Sequence, residues 1–205
     1  MSSSLAPLHT PELYVRQKRE LAEFFGFETR NKYAISTADR REVFYAAEQR
    51  SGLLGLLAIY LLGHWRSFDI AFFDGARQEA FRAHHPFRFF FQRLEVSQGG
   101  RPVGVIQQRF SVFTKRFDVL DANGALLFEM KSGLFKLWTF PFFRGEQQVG
   151  VIEKKWSGVF NEVFTDKDNF RVAFTDPALT LDQRLLMLAA AVFVDLQYFE
   201  RKTSN

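Results

Sequence analysis

The sequence contains no cysteine. That excludes disulfides, thiolate catalysis, zinc sites built on cysteine and S-palmitoylation, and it agrees with a reducing compartment. There are four histidines. The adjacent pair His84-His85 lies in a strand-like run, where neighbouring side chains point to opposite faces, so joint metal ligation is disfavoured. No Ser-His-Asp arrangement, glycine-rich phosphate loop or paired-carboxylate signature stands out, which makes an enzyme the least favoured class. Long apolar runs are also scarce. "LLGLLAIYLLG" (53–63) and "LLMLAAAVFV" (185–194) each give roughly 15 Å of helix, about half a hydrocarbon core, so neither spans a bilayer convincingly by itself. The start, "MSSSLAPLHTPELYVRQKRE", has no apolar core segment, so no signal peptide is expected. Charge is nearly balanced, with 27 basic and 23 acidic side chains and a net +4. This permits an anionic partner without requiring one. Nucleic acid is disfavoured, because that affinity rests on many phosphate contacts.

What is abundant is phenylalanine, 26 of 205 residues. Aromatic side chains favour strands and large cores. Residues 1–10 read as a loose tail, and 11–202 as a single domain. "PELYVRQKRELAEFFGF" opens the domain as either a helix begun at Pro11 or a strand. From Lys32 to Phe174, strand-like runs alternate with polar turns. Turns are expected at Ala38-Asp39, Asp74-Gly75 and Asn123-Gly124, the last two supplying the positive φ of tight hairpins. "VGVIQQRFSVFTKRFDVLDAN" (103–123) aligns without gaps to "VGVIEKKWSGVFNEVFTDKDN" (149–169), so one hairpin layout is used twice. After Phe174 the pattern becomes helical. Asp176 or Thr180 caps a helix over about 179–200 that is apolar on every side between Leu185 and Val194. Such a helix needs a surround. A closed antiparallel barrel wider than about eight strands leaves an interior for it.

Four stretches in order carry a family resemblance: "ELAEFFGFETRNKYAI" (20–35), "YAAE" (45–48), "IEKKWSGVFNEVFTDKDNF" (152–170) and "FVDLQYFE" (193–200). Together they resemble the phospholipid scramblase family, which belongs with the Tubby-like proteins. The resemblance covers about residues 13–200. It implies a mainly β fold, a closed antiparallel barrel of about twelve strands around a buried C-terminal apolar helix. It also implies membrane association and energy-independent, bidirectional movement of phospholipids between leaflets, promoted by calcium in eukaryotic members. Those members carry a Pro-rich N-terminal region that has no counterpart in this sequence. Their Cys-rich palmitoylation stretch corresponds to "FRAHHPFRFFFQR" (81–93), with phenylalanine where cysteine would be.

"FTDKDNF" (164–170) opens like a calcium loop, with Asp166 and Asp168 at the first and third ligand positions. Position 5 is Phe170, position 6 is Arg171, and position 12 is Pro177 in place of the closing carboxylate. A hairpin tip is preferred over a calcium site. No cofactor is required, and Asp166 and Asp168 are the candidate ligands if calcium binds.

In 81–93, Phe87, Phe89 and Phe91 fall on one face of an expected core strand, with Arg88, Phe90 and Gln92 on the other. The functional alternative has Arg82, Arg88 and Arg93 meeting lipid phosphates while Phe90 inserts among acyl chains. The apolar 51–63 segment reads equally as a helix folded over a barrel end or as a membrane contact, through Leu56, Leu57, Ile59 and Tyr60 with Trp65 and Arg66 at the interface. Asp195 is out of place in an apolar helix. It is expected either to pair with a wall Lys or Arg or to sit at a barrel end.

Two function classes stand. The first is a scramblase-like protein at the cytoplasmic face of a membrane, or in the cytoplasm. The second is a module that binds anionic phospholipid headgroups without transport, as Tubby-like domains bind phosphoinositides, through Arg40-Arg41, Lys115-Arg116 and Lys154-Lys155. Oligomeric state is open.

Overall fold

The computed structural model describes residues 3–18, 31–49, 67–132, 138–155 and 169–198. Twelve strands form a closed antiparallel barrel in which each pairs with its sequence neighbours. They are β1 (Glu12–Gln17), β2 (Lys32–Ser36), β3 (Glu42–Gln49), β4 (Phe68–Asp74), β5 (Glu79–His85), β6 (Arg93–Gln98), β7 (Arg101–Arg109), β8 (Arg116–Asp121), β9 (Leu126–Lys131), β10 (Thr139–Arg144), β11 (Gln147–Lys155) and β12 (Asn169–Phe174). The pairing of β1 with β12, from Glu12 opposite Ala173 to Arg16 opposite Asn169, closes the seam. Arg171 bridges that seam, donating from Nε to Glu12 Oε2 at 2.6 Å and from Nη1 to Glu153 Oε2 at 3.0 Å.

One helix, α1 (Leu181–Tyr198), fills the interior. Every side chain from Leu185 to Val194 is fully buried, as the apolar run predicts. The N-terminus of α1 is fixed by a reciprocal capping box. Gln183 N donates to Thr180 Oγ1 and Thr180 N to Gln183 Oε1. Phe44, Phe72, Phe81, Phe117, Phe128 and Phe142 line the wall around α1, with Phe72 stacked on Phe81 at 4.0 Å between centroids. Each such ring contributes about 1.5–3 kcal/mol on burial. Much of the phenylalanine excess is thus core.

The "VGVI" repeat coincides with β7 and β11, and its glycines admit α1. A Cβ on Gly104 would stand 2.3 Å from Leu120 O and 3.0 Å from Leu186 Cδ1. On Gly150 it would stand 2.2 Å from Met187 Cε and 2.6 Å from Ala173 O. The equivalence ends with those strands. "TDKDN" does not correspond to the turn at 121–124. That turn joins β8 to β9, whereas residues 156–168 lead directly into β12 at the opposite end of the barrel. The longer connection breaks the gapless match.

Several turns depart from expectation in detail. Gly124 takes φ 84°, as expected, but in the Asp74 turn the left-handed residue is Arg77 (φ 62°) and not Gly75. Asp74 and Asp121 use the same device. Each accepts two backbone N–H groups at Oδ1, from Ala76 and Gln78 and from Asn123 and Ala125. The fourth turn residue is then left-handed. Pro11 precedes a strand rather than a helix. Ser3–His9, expected to be loose, forms a 3-10 helix whose Leu5 and Leu8 are buried in the core. Buried Arg184 holds this segment, donating to Leu8 O at 3.1 Å and Thr10 O at 3.0 Å.

Candidate membrane interface

Antiparallel order sorts the connections by end. Residues 37–41, 75–78, 99–100, 122–125 and 145–146 are tight and gather at a turn end. Residues 18–31, 50–67, 86–92, 110–115, 132–138 and 156–168 are longer and join strands at a loop end. α1 follows β12, so it enters at the turn end and reaches Tyr198 at the loop end. The turn end is tied down by ion pairs. Arg101 clasps Asp182 with two contacts of 2.9 Å, and Arg144 donates to Asp176 at 2.9 Å.

The loop end differs in kind. Phe87, Phe89, Phe90 and Phe91 in one loop, and Phe110, Val112 and Phe113 in the next, are seven of the eight large apolar side chains exposed among the described residues. Phe90 is 80% exposed, Phe110 76%, Val112 71% and Phe113 77%. The eighth, Leu126, follows the β8–β9 turn.

The core strand expected through 86–91 is absent, because Pro86 brings no N–H to a ladder and β5 ends at His85. Arg88 and Phe90 stay exposed with their neighbours, while Gln92 turns inward. The Phe87 and Phe89 rings meet edge-to-face at 4.9 Å, and Phe91 sits at φ 52°, a strained conformation for an L-residue.

The first loop is held against the end of β7, the strand that leads into the second loop. Gln92 N donates to Gln108 Oε1 at 3.0 Å, Gln108 N to Gln92 O at 2.8 Å, and Gln107 Nε2 to Phe91 O at 3.0 Å. Below them His85 Nε2 meets Gln92 Oε1 at 2.7 Å, and the His85 ring stacks on Phe68 at 4.5 Å. The second loop is pinned by Ser111 Oγ against Thr114 Oγ1 at 2.7 Å and by Lys115 N donating to Ser132 Oγ at 3.0 Å. His84 faces outward onto Asp69 and His85 faces inward, as the pleat predicts.

The segments 86–93 and 109–116 carry Arg88, Arg93, Arg109, Lys115 and Arg116 and no carboxylate. Arg93 pairs with Glu95, Arg109 with Asp118 and Arg116 with Glu129, all on the barrel wall. Lys115 Nζ lies 3.7 Å from the Tyr198 ring centre. Arg88 has no acidic neighbour among the described residues. Arg82 pairs with Glu79. The basic clusters do not form one surface, since Arg40-Arg41 belongs to the turn end and Lys115-Arg116 and Lys154-Lys155 to the loop end.

Asp195 is buried near the loop end and accepts a hydrogen bond from Tyr33 Oη, a wall hydroxyl, at 2.9 Å. Asp166, Asp168, Leu56, Leu57, Ile59, Tyr60, Trp65 and Arg66 lie outside the described residues. Gln49 and Ser67, which flank 50–66, are at the loop end. Among the described residues no group of three potential ligands suits a metal ion, and no helix is long and apolar enough to cross a membrane.

Sequence reasoning missed Phe110, Val112 and Phe113. The repeat held the signal, since Phe110 aligns with Trp156 of "WSGVF", the segment most telling for the family.

The architecture is a closed twelve-stranded antiparallel barrel around its own C-terminal helix, with aromatic and cationic loops at one end. The scramblase family model matches residues 2–201, nearly the whole chain, and the chain belongs to that family. It is 30% identical to Phospholipid scramblase 1 of Mus musculus over 218 residues, covering 93% of this chain and 61% of that protein. It is 31% identical to Phospholipid scramblase 1 of Rattus norvegicus, covering 93% of this chain and 60% of that protein. Phospholipid scramblase 2 of Bos taurus is 29% identical over 98% of this chain and 75% of its own length. The chain thus spans about three fifths of the mouse and rat relatives. No solved structure matches it significantly.

Proposed function

We propose that the chain associates with phospholipid membranes and promotes energy-independent, bidirectional movement of phospholipids between leaflets, without covalent chemistry. The observation that carries this reading is family membership across residues 2–201. The barrier to such movement is the cost of taking a charged headgroup through hydrocarbon. A protein lowers it by offering polar partners and by thinning or disordering the bilayer.

Packing argues against a route in which α1 leaves the barrel. Ten consecutive fully buried residues, the Asp195–Tyr33 hydrogen bond and the Arg184 anchors would all be given up. The reading therefore assigns the perturbation to the loop end, through the aromatic loops and the apolar 51–63 segment whose flanking strands end there. Leu56, Leu57, Ile59, Tyr60, Trp65, Arg66, Arg88 and Phe90 are its lipid contacts. Calcium at Asp166 and Asp168 is an optional modulator. The protein works as a peripheral one, at the cytoplasmic face.

The second reading is a headgroup-binding module without transport. The observation that favours it is the filled interior, which leaves no path through the barrel. Vesicles carrying a fluorescent phospholipid in both leaflets separate the two. A membrane-impermeant quencher removes more than the outer-leaflet signal from intact vesicles only if lipids cross. Comparing calcium with chelator tests the aspartates in the same experiment.

A further inference from the structure

We infer that the paired loops 86–92 and 110–115 are a membrane-inserting edge, so that the barrel docks with its loop end on the lipid and its turn end in water. The inference rests on the reading that this chain works at a phospholipid bilayer, and it names the surface and the pose.

The argument is one of placement and charge. Seven large apolar side chains are exposed on neighbouring loops, while every other phenylalanine among the described residues is buried or half-buried. The first loop is hydrogen-bonded through Phe91 and Gln92 to Gln107 and Gln108 of β7, the strand that leads into the second loop, so the two loops stand on paired neighbouring strands. Phe91, in the same loop as the exposed Phe87, Phe89 and Phe90, takes φ 52°, a strained backbone conformation for an L-residue.

The occupant follows from the charges. The two loops carry Arg88 and Lys115 and no carboxylate, and Arg93, Arg109 and Arg116 flank them, paired with carboxylates of the barrel wall. A second copy of the chain meeting this edge through a two-fold axis would set those cations against one another. A bilayer with anionic headgroups accepts both features, rings below the headgroup plane and guanidinium and ammonium groups among the phosphates. The turn end lacks this apolar edge, since among the described residues Leu126 is the one exposed large apolar side chain near it.

The test uses the absence of cysteine, which lets one introduced thiol carry an environment-sensitive fluorophore. Val112→Cys reports the edge, and Asn123→Cys reports a turn at the opposite end. Vesicles of equal parts phosphatidylcholine and phosphatidylserine are added, and binding is followed by sedimentation. The expected result is a blue-shifted, brighter signal at 112 with no change at 123. Phe90→Ser and Phe113→Ser should each weaken vesicle partition by about tenfold, a conservative share of the free energy of burying one phenylalanine. Both positions are exposed, so thermal melts of the variants should match the parent. The inference is overturned if the protein sediments with vesicles while the probe at 112 stays silent, if both probes respond alike, or if nothing sediments.

Lipid exchange measured on the same vesicles keeps this inference apart from the transport reading. Exchange with a silent probe at 112 overturns the edge and leaves transport standing. A response at 112 without exchange supports the edge and overturns transport.

Discussion

Replacing Gly150 with alanine should destabilise the protein out of proportion to the one methyl group added. The ideal Cβ would stand 2.2 Å from Met187 Cε and 2.6 Å from Ala173 O, whereas ordinary contact begins near 3.4 Å. The methionine methyl is the far end of a flexible side chain and can swing aside. Ala173 O cannot, because Ala173 sits opposite Val151 in the β11–β12 ladder. The strands must part or the helix must lift, and both motions disturb a core in which Leu186, Met187 and Leu188 are fully buried. Overpacking costs about 1–3 kcal/mol, and a fixed backbone atom argues for the upper part, about 2–3 kcal/mol. For a chain of this size that is a fall in Tm of roughly 4–12 °C. Gly75→Ala is the control. Nothing lies within 4 Å of a Cβ there and the backbone is not left-handed, so Tm should barely change or rise slightly. Thermal unfolding followed by circular dichroism measures both. If Gly150→Ala melts with Gly75→Ala, the claim that glycines in β7 and β11 set the approach of α1 is wrong.

Two further outcomes follow from buried and half-buried polar groups. Tyr33→Phe removes a donor from the buried Asp195 carboxyl and should cost about 1–3 kcal/mol in denaturant unfolding, with Asp195→Asn costing less because its carbonyl still accepts from Tyr33; an unchanged midpoint for Tyr33→Phe would refute the pairing. At Glu42, burial alone would raise the carboxyl pKa, but hydrogen bonds from Lys18 and Tyr45 outweigh it and hold the group below its ordinary 4.5. Its contribution is therefore complete above about pH 4.5 and is lost as pH falls through the lowered folded value. The stability difference between the native chain and Glu42→Gln should shrink on acidification through that window, and a difference that grows would contradict the sign.

Much of the fold is legible in the sequence because period and burial agree there. The strand runs between Lys32 and Phe174 alternate, and Leu185–Val194 is too apolar to be anything but enclosed. The glycines of "VGVI" are visible as a repeat, but only packing against Leu186 and Met187 gives them a reason. The Phe-rich stretch misleads because alternation in "PFRFFFQ" reads as a buried strand. Pro86, which denies the ladder an N–H, outweighs the period. Ser3–His9 looks loose by composition, since its anchor is a buried arginine 176 residues away in sequence, from Arg184 to Leu8. The exposed Phe110–Phe113 loop is short and interrupted by Ser111, so no window of hydropathy singles it out. Its importance arises only when pairing of β6 with β7 sets it beside Phe87–Phe91.

The central claim is that this barrel moves phospholipids from its loop end. The direct measurement is transbilayer exchange in both directions, outward and inward, in intact vesicles containing the parent chain or the Phe90→Ser/Phe113→Ser double variant. The protein-to-lipid ratio should be high enough that both are membrane-bound. The account predicts equal rates in the two directions for the parent and a marked fall in both for the variant. Exchange that proceeds undiminished in the bound variant, or a parent that binds and moves no lipid, would contradict it.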